Sequence, residues 1–434
     1  METKFIPIIG MEVHIEPNTK TKMFCGCPQD HFGKPPNTQV CPICLGLPGA
    51  LPYANIEGIN KTVKLGLALG CTISTFSKFY RKNYFYPDLP KGYQTSQLDS
   101  PFCVGGSLNG FKLNHIHLEE DAGKLVHETI DGAKYSLVDF NRSGCALIEL
   151  VTEPVFHDIP SVVGFVKELQ LIARYLDISS ADMEKGSMRL EANVSLSKDG
   201  SLPNYKVELK NINSFKFLEK AVTAELARQT KAIIDGEELV QETRGYDEVK
   251  QSTYSQRTKA DAHDYRYFPE ADLPPIRLSQ AQIQHLRDEL PELPNDKRKK
   301  YQSMQISKDF AEVLIQDVER AKYFEVAMAL GSRENISPKT VADLMVNKKL
   351  DAQFPEPAGL IKRIIEISKV EYSLPADVEN AVKSVLMESE KAVKDFKNGN
   401  GNVIGFLMGM VQKKLQGKGN PQMVREELLK ELEK

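Results

Sequence analysis

The chain has 434 residues, 41% hydrophobic and 26% charged, with a formal net charge of −3. At roughly 150 residues per domain this predicts two to four globular domains with a sizeable core. The charge balance gives no global reason to expect a nucleic-acid binder, and no stretch approaches the run of about 18 apolar residues that would mark a membrane span.

The N-terminus, "METKFIPIIGMEVHIEP", lacks the basic-then-apolar pattern of a signal peptide. A cytoplasmic setting is therefore expected, in which clustered cysteines bind metal more often than they pair. From Gly10 the segment alternates, which predicts a strand with Glu12, His14 and Glu16 on one face. The next stretch, "KMFCGCPQDHFGKPPNTQVCPICLG", holds Cys25, Cys27, Cys41 and Cys44 in the spacing C-x-C-x13-C-x2-C. Four thiolates from two short knuckles can meet around one tetrahedral Zn2+, with Pro42, Gly26 and Gly46 permitting the turns. Four sulfurs leave no open position, so the expected site is structural; the alternative is four cysteines buried as small hydrophobes. His31 is a substitute ligand ranked below the cysteines, and Cys71, Cys103 and Cys145 read as core.

"FYRKNYFYPDLPKGYQTSQ" (79–97) is aromatic, basic and turn-rich. Such a loop can hold phosphate or a nucleotide, with Arg81 and Lys82 supplying charge and tyrosines such as Tyr84 stacking; it can equally be a packed surface loop. "FKLNHIHLEED" and "ALIELVTE" predict strands. In the first, His115, His117, Glu119 and Asp121 share a face and Glu120 lies opposite; Glu149 sits in the second and Glu191 in "SMRLEANVSL". A carboxylate in an apolar strand is costly to bury unless paired or bound to metal. Several His/Glu-bearing strands fit Mg2+ or Mn2+ better than Zn2+; the alternative is solvated sheet faces with salt bridges.

The periodicity predicts helices over 160–177 and over 215–236, the latter ended by Gly236. Strands and helices without regular βαβ alternation argue for α+β. There is no P-loop signature, no Gly/Ser-rich amidase stretch and no evident Cys/His nucleophile motif. From about 293 the pattern is helical, with a break at 353–359. Residues 391–425 carry seven Lys/Arg against Asp395, and Gly401, Gly405 and Gly409 recur every four residues. The glycines allow either tight helix packing or close approach to another surface, and the charges either a solvated face or a nucleic-acid contact.

Nine stretches in order resemble one family along nearly the whole chain: "GMEVHIE", "SKFYRKNYFYPDLPKGYQTSQ", "HLEEDAGK", "YSLVDFNRSGCALIELVTEP", "EKGSMRLEANVSL", "VELKNINSF", "QETRGYD", "DYRYFPEADLPP" and "NGNGNVIGFLMGMVQKKLQGKGNPQ". The family is GatB, the B subunit of the aspartyl/glutamyl-tRNA(Asn/Gln) amidotransferase GatCAB, a heterotrimer. The resemblance implies an α+β catalytic cradle domain with a mixed or antiparallel sheet over 1–292, with the zinc knuckle at 25–44. An all-α helical domain over 293–353 and an all-α, YqeY-like, tRNA-binding tail over 354–434 would follow. It implies ATP- and Mg2+-dependent phosphorylation of the side-chain carboxylate of Glu-tRNA(Gln) or Asp-tRNA(Asn). Amidation follows, with ammonia from the amidase subunit, and the small subunit of the heterotrimer braces the pair. Carried over by motif, Glu12, His14, Lys82, Glu119, Glu120 and Glu149 take catalytic roles. Lys82 would line the phosphate site or the ammonia channel, with Arg81 and Tyr84 of the same loop as the further nucleotide-binding candidates, and Glu12, His14, Glu120, Glu149 and Glu191 would hold Mg2+. Lys413 and Lys414 fall in the tail patch that would meet tRNA. Two departures stand out. Ala146 replaces the family's usual Pro, for which a local backbone change is expected, and residues are missing between "GLIKRIIEISK" and "YSLPADVEN". The rival readings are a self-contained ligase for a small molecule and a non-catalytic RNA-binding or assembly subunit.

Overall fold

Strand β1 (Ile6–Ile15) alternates Met11, Val13 and Ile15, all fully buried, with the part-exposed Glu12 and His14. In the computed structural model, which describes residues 5–258, 264–368 and 373–433, this alternation places β1 near the middle of a large sheet. Its other main strands are β2 (Phe111–Glu120), β3 (Ala146–Thr152), β4 (Met188–Ser197), β5 (Val207–Ile212), β6 (Glu242–Asp247) and β7 (Ser252–Thr258). The order is β7-β6-β5-β4-β1-β3-β2, continued past β2 by the short strands Cys103–Val104 and Thr72–Ile73. β5 and β6 pair in parallel and the other neighbours are antiparallel, so the sheet is mixed, as expected.

One face of the sheet is apolar. Met11, Val13, Ile15, Leu118, Ile148, Leu150 and Leu190 join Ile59 and Val63 of α1 (Ile56–Ala68), Phe165 and Leu169 of α2 (Ile159–Tyr175), and Leu218 and Val222 of α3 (Phe215–Asp235) in one core. Burying each large side chain stabilises by about 1.5–3 kcal/mol, and a one-residue slip would turn the whole set outward, so the core fixes the register. The helices start where their caps predict. Asp158 accepts from the Ser161 N–H with Pro160 in the first turn of α2, and Ser214 accepts from the Phe217 N–H on α3. Gly236 closes α3 at φ 78°.

The 79–97 stretch, expected as a loop, contains two strands. Tyr80–Asn83 pairs with Tyr93–Ser96 and with Phe268–Pro269. Ala146 opens β3 opposite Glu120, and its N–H donates to Gln29 Oε1 at 3.0 Å, a bond that a proline could not make.

The chain divides into two compact units, Met1–Lys300 and Tyr301–Lys434. Among the described residues the second unit is helical. Lys308–Ile315, Val318–Arg333, Pro338–Lys348 and Pro357–Ser368 come first, then Pro375–Glu388, Glu390–Lys397, Val403–Lys414 and Pro421–Leu432. Val378, Val382, Val385, Leu407, Val411, Val424 and Leu428 form a core of their own in the last group. The missing residues expected between Lys369 and Tyr372 fall outside the described residues. Among the described residues no helix is long and apolar enough to cross a membrane.

Candidate active site and metal centres

Register builds the site. His14 on β1 stands opposite Glu149 on β3, and Glu149 stands opposite His117 on β2. On the other flank Arg189 of β4 faces His14, and Glu191 faces Glu12. Side chains alternate along a strand, so all of these lie on the face away from the apolar core. His14 Nε2 is 3.3 Å from Glu149 Oε2 and 3.9 Å from Glu119 Oε1. His117 Nε2 is 3.2 Å from the same Glu149 oxygen and 3.6 Å from Glu119 Oε2. Ligand atoms of His14, Glu119 and Glu149 lie within 4.8 Å of one another, and so do those of Glu12, Glu191 and Glu208.

Burial disfavours charge on both imidazoles, but the Glu149 carboxylate outweighs it, holding His14 up at about 9 and His117 up at about 10. Burial alone would raise Glu149; the two histidines hold it well below the usual carboxylate range instead. Glu12 is raised by burial and then by the charges of Glu149 and Glu191, although Asn193 Nδ2 donates to it at 2.7 Å. Lys210 Nζ partly offsets the second group, 2.9 Å from Glu191 and 3.3 Å from Glu208. Carboxylates with one or two imidazoles, crowded enough to shift one another's pKa, are the donor chemistry that a hard divalent cation takes.

The other expected site residues divide between two faces. Lys82 is drawn to this site: burial works against its charge, but Glu119, Tyr267 and Glu149 more than restore it, and its Nζ lies 4.9 Å from the Tyr265 ring centre. Tyr84, two residues on, packs edge-on against Tyr265 with ring centres 5.9 Å apart. Arg81 does not join them. Its guanidinium is held by both oxygens of Glu270 (2.7 and 2.6 Å), lies 3.1 Å from Asp272, and sits over the Tyr93 ring. Glu120 is also a correction to the expected Mg2+ set. It follows Glu119 and so points to the opposite side of β2, where it is buried, paired with Lys91 and bonded by the Thr95 N–H at 2.7 Å. There it lines a cavity of about 70 Å3 together with Cys25, Cys44, Gly46, Lys91 and Asp272. Sequence reasoning placed His117 on the acidic face without giving it a catalytic or ligand role, and did not single out Arg189, Glu208 or Lys210. The period-2 spacing in "MRLE" and "VELK" was the available signal, but only strand pairing shows which faces meet.

The four knuckle cysteines do come together, with sulfurs within 4.8 Å of one another and Cys41 and Cys44 3.8 Å apart. Their proton affinities diverge. A hydrogen bond from Cys25 pulls Cys44 down to about 5, whereas burial pushes Cys27 up to about 11. Thiols crowded enough to shift one another's proton affinity are a donor set whose protons a divalent cation displaces. Lys22, wholly buried, donates to the Gln39 and Ser143 carbonyls at 2.8 Å and lies 3.8 Å from the Cys44 sulfur. Gly46 is required by geometry: φ is 67°, and a Cβ would collide with the Lys91 side chain. Gly26 has no such φ; a Cβ there would meet only the Tyr53 hydroxyl at 3.0 Å. His31 is turned away from the sulfurs to Glu16, at 3.1 Å. Cys71, Cys103 and Cys145 are buried core, as expected.

In the second unit, a Cβ at Gly401, Gly405 or Gly409 would meet nothing within 4 Å, so these glycines do not serve packing among the described residues. Lys413 is exposed, and Lys414 is tied to Glu388 and Ser384.

A mixed sheet with an acidic, imidazole-bearing face, a four-cysteine knuckle and a helical unit define an α+β protein with side-chain clusters that could hold metal ions. Similarity to known proteins narrows this further. Residues 7–284 match the GatB/GatE catalytic domain and residues 307–432 the GatB domain, so the chain belongs to the GatB family. It is 39% identical to the B subunit of the aspartyl/glutamyl-tRNA(Asn/Gln) amidotransferase of Persephonella marina, over 98% of this chain and 100% of that protein. It is 40% identical to the protein of the same name from Thermotoga petrophila, over 99% of each chain. With the one from Ruminiclostridium cellulolyticum it shares 38%, over 99% of this chain and 98% of the other. The Persephonella alignment spans 484 positions, more than this chain's 434 residues, so it carries gaps on this chain's side.

Proposed function

We propose that the chain is the GatB component of a tRNA-dependent amidotransferase, working in the cytoplasm as a heterotrimer with an amidase subunit and a small subunit. Its substrate is Glu-tRNA(Gln), Asp-tRNA(Asn) or both. The side-chain carboxylate of the esterified amino acid is a poor electrophile, because its leaving group would be oxide. A carboxylate oxygen attacks the terminal phosphorus of ATP and ADP leaves; ammonia then attacks the acyl carbon and phosphate departs, giving the amide.

The observation that carries this reading is the row His14–Glu149–His117, flanked by Glu119, on one sheet face. His14, Glu119 and Glu149 would hold one Mg2+, with Glu12 and Glu191 beside them. Bound there, Mg2+ supplies positive charge against the phosphate oxygens, which phosphoryl transfer needs more than covalent help. Lys82 adds a second cation from the tyrosine-lined side, next to Tyr84. Arg81, committed to Glu270, holds its strand in place rather than touching phosphate. The knuckle sulfurs would hold Zn2+ as a structural clip, since four cysteines leave no open position. Residues 1–292 form the catalytic part, with 293–353 and 354–434 holding the tRNA body.

The test combines the chain with its two partner proteins, Glu-tRNA(Gln), ATP, Mg2+ and glutamine. Gln-tRNA(Gln) should form, and Glu149→Gln should lower the rate at least 100-fold. Undiminished amidation by that variant would rule out a catalytic role for this face.

A further inference from the structure

The hydrogen-bond chain behind His117 fixes which of its nitrogens faces the carboxylates as a donor atom. Glu153 Oε1 accepts from Asn114 Nδ2 at 2.7 Å, which orients the amide and turns Asn114 Oδ1 toward His115. That oxygen lies 2.6 Å from His115 Nδ1 and can only accept, so His115 Nδ1 donates. His115 Nε2 is then a lone pair, 3.1 Å from His117 Nδ1. The rings are inclined by only 26° with centroids 5.1 Å apart, which suits an N–H···N bond between their edges. With both rings neutral, a proton on His117 Nε2 would leave two lone pairs facing each other across that gap. The proton of the neutral ring therefore sits on His117 Nδ1, and the Nε2 lone pair points at Glu149 and Glu119, 3.2 and 3.6 Å away.

We propose that His117 is a ligand of the divalent cation at this face, and that Glu153, Asn114 and His115 are the positioning residues that aim it. The proposal rests on the reading of His14, Glu119 and Glu149 as a cation site. A lone pair pointed at two carboxylates is repulsive unless a proton or a metal ion lies among them, and a divalent ion would displace the proton. Ligating histidines commonly have their second nitrogen held by a chain ending in a carboxylate, and His117 has one. His14 does not: its ring's only polar contacts among the described residues are Glu119 and Glu149. His117 and His14 occupy the strands on either side of Glu149, so an ion at that carboxylate is reached from both flanks.

The test uses the full chain with Mn2+ as the probe and pulsed electron paramagnetic resonance to count coupled 14N nuclei. The wild type should show two, His14→Ala one, His117→Ala one, and the double variant none. His115→Phe, which removes the acceptor, should weaken Mn2+ binding about 10- to 100-fold. One coupled nitrogen in the wild type that vanishes in His14→Ala would overturn the proposal and leave the cation site standing. Unchanged affinity in His115→Phe would overturn the positioning chain. Mn2+ binding with no coupled nitrogen, insensitive to Glu149→Gln, would overturn the site reading and this inference together. Should His117→Ala not fold by circular dichroism, the wild-type nitrogen count decides alone.

Discussion

Neighbouring carboxylates on one strand have opposite duties here. Glu119 faces the histidines, whereas Glu120 is buried against Lys91 on the other side. Glu120→Gln leaves a buried ammonium without its partner and should cost about 3 kcal/mol in urea unfolding. Mn2+ affinity should hardly change, because the oxygen donors of the acidic face remain. Glu149→Gln should do the reverse, losing Mn2+ affinity at modest cost in stability; equal losses of Mn2+ binding in the two variants would contradict the separation of faces. The same face sets a pH dependence in metal-free protein. His14 is raised from 6.5 to about 9 by Glu149, against the effect of burial, so the folded state binds its proton more tightly than the unfolded chain does. That stabilisation is complete below about pH 6.5 and is lost as pH rises through 9. With EDTA present, the thermal midpoint should fall across that window, and His14→Gln should flatten the fall.

At the scale of elements, alternation made most of the site legible and pairing hid the rest. The period of two in "GMEVHIE" and "HIHLEED" separates acid from core by spacing alone. Which strands are neighbours is a non-local matter, settled by how the apolar faces close on α1, α2 and α3. Without that register, the row through His14, Glu149 and His117 is three unconnected residues; alternation already set Glu120 opposite Glu119, and only the carry-over by motif placed it in the Mg2+ set. Arg81 misled for a similar reason: its partner, Glu270, lies 189 residues away. The cysteine spacing was legible because its geometry is local to two knuckles. The loop between those knuckles has few buried side chains of its own, its residues from Phe32 to Thr38 being mostly exposed. Its order should therefore depend on the sulfurs. Cys44→Ser should lower unfolding free energy by about 2 kcal/mol or more and speed proteolysis within 28–40. Matched proteolysis rates in variant and wild type would show that the knuckle does not clip the loop.

For the whole molecule, the proposal divides labour between two units, chemistry on the N-terminal sheet and tRNA on helices with a core of their own. The net charge of −3 hides this division, because tRNA would meet only the Lys-rich stretch around Val403–Lys414. Within it Lys413 and Lys414 are both exposed but not equivalent, because Lys414 is already bonded to Glu388 and Ser384. Lys413→Ala should weaken tRNA binding and reduce the slope of log K against log salt by about 1, and Lys414→Ala should do less. Gly405 and Gly409 supply an independent check. Each faces open space on the helix, where an added Cβ would meet nothing within 4 Å. Replacing glycine by a good helix former inside a helix favours folding by up to about 1 kcal/mol. Gly405→Leu or Gly409→Leu should thus raise the melting temperature slightly while lowering tRNA affinity, because the side chain holds the RNA backbone away from the helix. A stabilised variant that binds tRNA as tightly as the wild type, at every salt concentration, would show that the glycine face is not where the RNA lies.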